Sequence, residues 1–348
     1  MFQSRTDLVA CLFLLLLSIF IYTRGLGLHG LEYRDDEIFY YKSTQEMIRS
    51  GNVLSPTYFG EDRFQKPILF YWLMIGSYKI FGINWFGARF VSVLFAGFSV
   101  CLTWLISKTL FNRKVATLSA VILMTIPLFF RHAKNAVPDM ALNFFIVAAL
   151  FYAIRFIQIS FWANETAAEH NKPEQAKYSI LFFVFCSMGF MIKGFTAFII
   201  PFLTIGLYSA FSRKWKILEE MRCGRGMLVI LLIICPWFLY MISAHGSTYL
   251  NYMVVDETKN RLISDGSTHI AAAVLATFLD HCAFYLNVLW TYFAPWGIFL
   301  IGAIPLTLWK IKSNDPTKDG LSLLLIWFCV VFGFFSMIYY SINHYMLV

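Results

Sequence analysis

At 348 residues, the chain is 59% hydrophobic and only 14% charged, against ~25% charge in an ordinary soluble domain. No water-soluble fold of this size buries so much apolar surface. The net charge of +8 is spread among apolar runs rather than gathered into a basic stripe with exposed aromatics, so nucleic acid is excluded as its partner.

The expected class is an all-α membrane protein, a polytopic helical bundle with about nine spans, each needing ~20 mostly apolar residues. The first apolar run, 8–28, lacks a small-x-small cleavage site and predicts an uncleaved membrane helix. Residues 36–50 alternate Ile38, Tyr41, Met47 and Ile48 with polar groups and predict a helix, followed by a loop over 52–64 that contains Pro56 and Gly60. Pro67 to Phe81 is apolar but short and carries Gly76 and Lys79, which predicts an interfacial helix rather than a span. The further spans are expected at 87–107, 115–133, 139–159, 178–193, 195–211, 227–244, 284–309 and 321–342. Seven cysteines, an odd number without a CxxC, fall mostly inside these runs and predict neither a structural disulfide nor a thiolate metal site.

Charge placement orients the array. With a cytoplasmic N-terminus, one side receives Lys108, Arg113, Lys114, Arg155, Lys172, Lys177, the Arg213–Arg225 cluster and Lys310, Lys312 and Lys318, as the positive-inside rule requires of the cytoplasmic face. A full span at 67–81 would invert every later loop and break that agreement. The outer side then holds two long segments, 29–66 and 245–283, within one transmembrane domain over 1–348. The chain stops at His344-Tyr345-Met346-Leu347-Val348 as though entering another apolar run, so a truncated product or a fragment is expected.

The groups able to carry chemistry fall on that outer side. Asp35-Asp36-Glu37 repel one another unless something uses them; a general base, a metal ligand and acids favouring a helix N-terminus all remain open. Lys66 precedes Pro67 at the start of the interfacial helix, where a phosphate clamp and a snorkelling side chain are equally natural. Lys134 and Asp139 lie in the turn between two spans, Asp139 in a helix-capping position. Lys193-Gly194 joins two spans that almost touch, and a lysine there calls for a phosphate partner or the interface. Asp256, Glu257, Asn260, Arg261 and His269 follow in the second outer segment, with Asp280-His281 as a further pair and His344 at the end. No P-loop, Gly-rich nucleotide fingerprint, HExxH or GxSxG occurs.

The run from Asp36 to Leu69, DEIFYYKSTQEMIRSGNVLSPTYFGEDRFQKPIL, resembles the first-loop signature of bacterial polyprenyl-phosphate-sugar glycosyltransferases. These are the GT-C-type membrane transferases related to protein O-mannosyltransferases and to the lipid A aminoarabinose transferase. Further matches follow in order: Phe81-Gly82, Ala88-Arg89, Pro138-Asp139, Lys193-Gly194, Pro236-Trp237, Glu257 with Asn260 and Arg261, Pro295-Trp296 and His344-Tyr345. The resemblance covers essentially the whole chain. It implies transfer of a sugar, with inversion, from a polyprenyl-phosphate carrier to a lipid, glycan or protein acceptor on the periplasmic face of the inner membrane, with no nucleotide and no nucleic acid involved. Asp36 then stands at the reaction centre with Asp139 and Glu37 beside it. Lys66, Lys134, Lys193 and Arg261 hold the donor phosphate.

Three departures from the family pattern bear on the chemistry. Gln65 replaces the Glu before Lys-Pro, Phe39 replaces an Arg three residues after the first Asp, and Phe195 replaces the Pro after Lys-Gly. In the aminoarabinose branch that Glu binds a metal with a His of the second outer segment, nearest His269 here. A neutral Gln is a poor cation ligand, so a divalent metal is left open, with Gln65, Glu257, His269 and His344 as substrate or metal contacts. The competing readings are a catalytically inactive membrane scaffold and a lipid or sugar transporter. A transporter predicts ionisable groups near mid-membrane and paired broken helices, whereas the charges here lie at span ends.

Overall fold

A computed structural model describes residues 4–28, 35–162, 172–253, 270–313, 315–338 and 346–347. Among the described residues the chain is helical almost throughout. Six helices are long and apolar enough to cross a membrane, and up to eight if each of two bent pairs counts as one span. In chain order these begin with α1 (Arg5–Thr23), opened by Ser4, whose hydroxyl accepts the Asp7 amide. Then come α2 (Asp35–Ser50), a two-stranded hairpin of β1 (Thr57–Tyr58) and β2 (Glu61–Asp62), and α3 (Leu69–Phe81). α4 (Trp85–Leu110) and α5 (Arg113–Thr125) are each capped by an asparagine, Asn84 and Asn112, which supplies an acceptor to an otherwise orphaned amide.

The expected span 115–133 is bent. α5 stops at Thr125, and α6 (Pro127–Ala133) leaves at 67°. Ile126, forced out of the helical region by the proline that follows, takes ψ 121° and makes the corner. α7 (Asp139–Ile157) runs on through a π-turn at Gln158–Trp162. α8 (Lys172–Lys193), α9 (Thr196–Phe211), the short α10 (Lys216–Glu220), α11 (Cys223–Asn251) and α12 (Ile270–Thr291) follow. A 3-10 turn (Trp296–Phe299), α13 (Leu300–Lys312) and α14 (Lys318–Met337) complete the described chain. The single span expected over 284–309 is likewise two helices, at 115° to one another, parted at Tyr292–Pro295, where proline has no N–H to continue the helix. α9 has the expected apolar character but only 16 residues. α3, at 13 residues, falls short of a span, as expected from its sequence.

Burial ranks the helices. In α7 89% of the most apolar window is buried and in α4 72%, against 11% in α11. α7 is therefore the axis, wrapped by α4 and α8, while α11 lies at the edge. Lipid is as apolar as leucine, so these helices are held by close packing and polar contacts rather than by escape from water. One end of the array is tied by Asp7 to Lys108 and Arg113 and by Lys214 to Asp319. The other end carries α2, the hairpin, α3 and the first residue of the axial helix, Asp139.

Candidate active site

The site is built on α2, which buries one helical face, Glu37, Tyr40, Ser43, Thr44 and Met47, at the end of the bundle. Glu37 is 1% exposed and binds Arg89 of α4 through two hydrogen bonds, from Nε at 3.1 Å and Nη2 at 2.8 Å. It also accepts the Ala136 amide at 2.5 Å, while Arg89 Nη1 donates to the Leu26 carbonyl at 3.0 Å. Trp85 covers the Arg89 guanidinium at 5.2 Å and stacks on Tyr41. A carboxylate so engaged and so dry is not a proton acceptor for substrate. Glu37, expected among the catalytic acids, serves as the anchor that fixes α2 to α4, to the end of α1 and to the 134–138 turn.

One residue earlier the situation reverses. Asp36 is exposed and, among the described residues, has neither a hydrogen-bond nor an ion-pair partner. The helical turn thus sends Glu37 into the protein and leaves Asp36 open. Asp139 is 8% exposed at the start of α7 and forms an ion pair with Lys193. Lys193 ends α8, and Gly194 follows at φ +87°, a left-handed conformation that closes the helix at little cost only because no Cβ is present. Tyr40, one turn on from Asp36, has its hydroxyl pushed well above the ordinary tyrosine range by burial, with Tyr71 adding to it. Arg63 opposes that shift, and Asp139 and Asp36 reinforce it, so all three charges act on this neighbourhood.

The hairpin brings Arg63 there. Phe59 (φ 54°) and Gly60 (φ 80°) form a turn with both φ positive, the type that suits two-residue hairpins. Glu46 of α2 grips it, accepting from Thr57 Oγ1 (2.7 Å), Phe59 N (2.8 Å) and Gly60 N (3.3 Å). Burial works against the Glu46 charge, but these donors and Lys42 outweigh it and hold its carboxyl below the usual range. Arg63, 9% exposed, donates from Nε to the Tyr71 hydroxyl at 3.1 Å and lies over Phe39 at 4.5 Å, Tyr40 at 5.6 Å and Tyr58 at 6.0 Å.

The remaining candidates divide. Lys66 is half-buried and engaged by a neighbour. Lys134 donates to the Arg24 carbonyl at 2.7 Å, and burial, with Arg89 nearby, lowers its pKa from the ordinary lysine range. Gln65 is exposed. His281 donates toward the Ser336 carbonyl at 3.3 Å, a helix-to-helix contact away from this end-group cluster. Glu257, Arg261, His269 and His344 lie outside the described residues, as does Asp256.

Three participants went unnoticed in the sequence: Arg63, Tyr40 and a chain of contacts at His245. His245 Nε2 lies 2.7 Å from Ser55 Oγ and Nδ1 3.0 Å from Asp62. Phe64 meets its ring edge-on, and Trp237 Nε1 donates to Leu54 O at 2.9 Å, so the loop over 52–64 is clasped to the end of α11. The available signal was slight, a His-Gly pair closing the apolar run 227–244. Among the described residues the donors do not make a divalent-cation site, and the other expected contacts, Glu257, His269 and His344, lie outside them. Gln65 offers a neutral amide, His245 is already held between Ser55 and Asp62, and no group of three or more His, Cys, Asp or Glu converges among the described residues.

Residues 9–246 match the family model for dolichyl-phosphate-mannose-protein mannosyltransferases. An undecaprenyl phosphate-alpha-4-amino-4-deoxy-L-arabinose arabinosyl transferase of Pseudomonas fluorescens is 30% identical over 93% of this chain and 54% of its own length. An uncharacterized protein of Aquifex aeolicus is 27% identical over 97% of this chain and 60% of its own. Among solved structures, ArnT from Cupriavidus metallidurans, bound to undecaprenyl phosphate, superposes with a TM-score of 0.79 at 20% identity, over 99% of this chain and 58% of that one. The archaeal oligosaccharyltransferase AglB of Archaeoglobus fulgidus does so with a TM-score of 0.63 at 13% identity, over 99% and 49%. The chain therefore spans between about half and three fifths of the length of these relatives.

Proposed function

The chain belongs to the dolichyl-phosphate-mannose-protein mannosyltransferase family, and on that footing we propose that it is the catalytic membrane portion of a glycosyltransferase that draws its sugar from a polyprenyl-phosphate carrier. The observation that carries this reading is the open carboxylate of Asp36 beside the Asp139–Lys193 pair, at one end of a polytopic bundle.

Asp36 accepts the proton of the attacking acceptor group, or orients it, as that group displaces the phosphate from the anomeric carbon with inversion. Asp139 acts at the same centre and holds Lys193 in place. Lys66, Lys193 and Arg261 are the cations assigned to the leaving phosphate, where stabilising developing charge is the main electrostatic task. The placement of charged loops supports a cytoplasmic N-terminus and a periplasmic site in the inner membrane. The acceptor is an envelope molecule: lipid A, another glycan or a protein. The test is transfer in membranes holding this chain, supplied with labelled polyprenyl-phosphate sugar and an envelope lipid extract, for wild type against Asp36→Asn. Donor consumption by the wild type alone supports the reading, and equal consumption by both removes Asp36 from the centre. No turnover by either, across several donor sugars, favours a scaffold.

A further inference from the structure

Arg63 stands apart from the other cations of this end of the bundle. Its guanidinium is nine-tenths buried, and of its donors only Nε has a partner, the Tyr71 hydroxyl at 3.1 Å. Among the described residues no carboxylate pairs with it, and its two Nη groups have no hydrogen-bond acceptor. Arg89, equally buried, shows the ordinary solution: a bidentate carboxylate and a carbonyl. A guanidinium cannot shed its proton to escape the cost of burial. The rings of Phe39, Tyr40 and Tyr58 compensate it in part, since an aromatic face attracts a cation. The Nη atoms are not among the fully buried side-chain atoms that lack a partner, so this edge keeps access to solvent or ligand.

Two neighbouring lysines each have a partner within the protein: Lys193 pairs with Asp139, and Lys134 donates to the Arg24 carbonyl. The guanidinium also lies over Phe39, the position where the sequence departs from an expected arginine. The cation missing from α2 is supplied from the hairpin.

We propose that the Nη edge of Arg63 binds a substrate phosphate, taking two of its oxygens in a bidentate pair beside Asp36 and Asp139. The planar fork of an arginine matches two oxygens of a phosphate as a lysine ammonium does not. The inference rests on the transferase reading. It identifies a phosphate-binding residue which the positional match to the family does not mark. Donor and acceptor can both present this chemistry, and they are separated by experiment.

The chain is reconstituted in phosphatidylcholine nanodiscs, without anionic lipid, and undecaprenyl phosphate binding is titrated for wild type, Arg63→Gln, Arg63→Lys and Arg63→Ala. For a donor phosphate, Arg63→Gln weakens binding about 10- to 100-fold, the span expected for a charge-assisted pair. Arg63→Lys falls between, and millimolar methylguanidinium restores part of the affinity of Arg63→Ala. For an acceptor phosphate, undecaprenyl phosphate binding is unchanged, and KM for a phosphorylated lipid acceptor rises by the same factor at saturating donor. The proposal is overturned if folded Arg63→Gln alters neither quantity by more than about twofold. It is also overturned if the loss is rescued neither by lysine nor by methylguanidinium, which marks a packing role. Wild type that neither binds undecaprenyl phosphate nor transfers sugar removes the transferase reading itself, whatever the variants do.

Discussion

Replacing Glu37 with glutamine separates support from chemistry at adjacent residues. Glu37 accepts three hydrogen bonds at 1% exposure, and its partner Arg89 is 4% exposed. Glutamine keeps the shape but removes the charge and turns one acceptor into a donor, so Arg89 is left charged, buried and half-paired. Breaking a buried pair from one side costs about 3–5 kcal/mol. Exposed Asp36, without a partner, should move stability by less than about 0.5 kcal/mol when changed to asparagine. The assay is unfolding in mixed micelles, run beside sugar transfer normalised to folded protein. Glu37→Gln is expected to lose the larger energy while its folded fraction turns over, and Asp36→Asn to lose turnover while remaining stable. Adding Arg89→Met to Glu37→Gln should recover part of the loss, because the buried guanidinium left without its carboxylate is then removed. A Glu37→Gln cost below about 1 kcal/mol would refute the view that this pair is dry and structural.

Asp139→Asn should lower transfer and leave Lys193 without its charge partner; if the double variant with Lys193→Met is no worse than either single one, the two act as a unit. Gly226→Ala places a Cβ 2.3 Å from the Phe183 ring and should cost about 1–3 kcal/mol by overpacking, with Phe183→Leu relieving it in the same unfolding assay. Glu46 has its pKa depressed in the fold, so its contribution is present above the unfolded carboxylate value and fades as pH drops through the folded one. Hydrogen exchange at residues 57–62 should therefore quicken below about pH 4 and, in Glu46→Gln, be fast at every pH; unchanged exchange in that variant would show that Glu46 does not hold the turn. His245→Ala should free the 52–64 loop, read as faster proteolysis there with the helical spectrum intact.

The bundle was legible because each span must satisfy its backbone within itself, so apolar length alone locates a helix. The interfacial nature of 67–81 was legible from loop charge. What length cannot report is direction within a span: Ile126-Pro127 and Tyr292–Pro295 turn the chain by 67° and 115° without interrupting its apolar character. At the site, Asp36, Asp139 and Lys193 were singled out because ionisable groups at span ends are costly unless used, and the structure joins Asp139 to Lys193. The distinction between Asp36 and Glu37 was not available, since it depends on which face of α2 meets Arg89, a residue 52 positions on from Glu37. Arg63 was hidden for a related reason. In a run reading Gly60-Glu61-Asp62-Arg63 it passes for one more solvated loop charge, and only the hairpin turns it inward.

The anchor at Glu37 also imposes an order on biogenesis. Its partners are Arg89, itself held by the Leu26 carbonyl, and the Ala136 amide, so α2 has no fixed seat when it leaves the ribosome. The seat is completed only when the chain has delivered α4 and the turn before α7, about a hundred residues later, during vectorial synthesis. Asp36 is carried into register by that late closure. An insertion intermediate that stops after α4 thus holds every residue of the first outer segment, but not the contacts that seat α2 with the Asp36 carboxylate open.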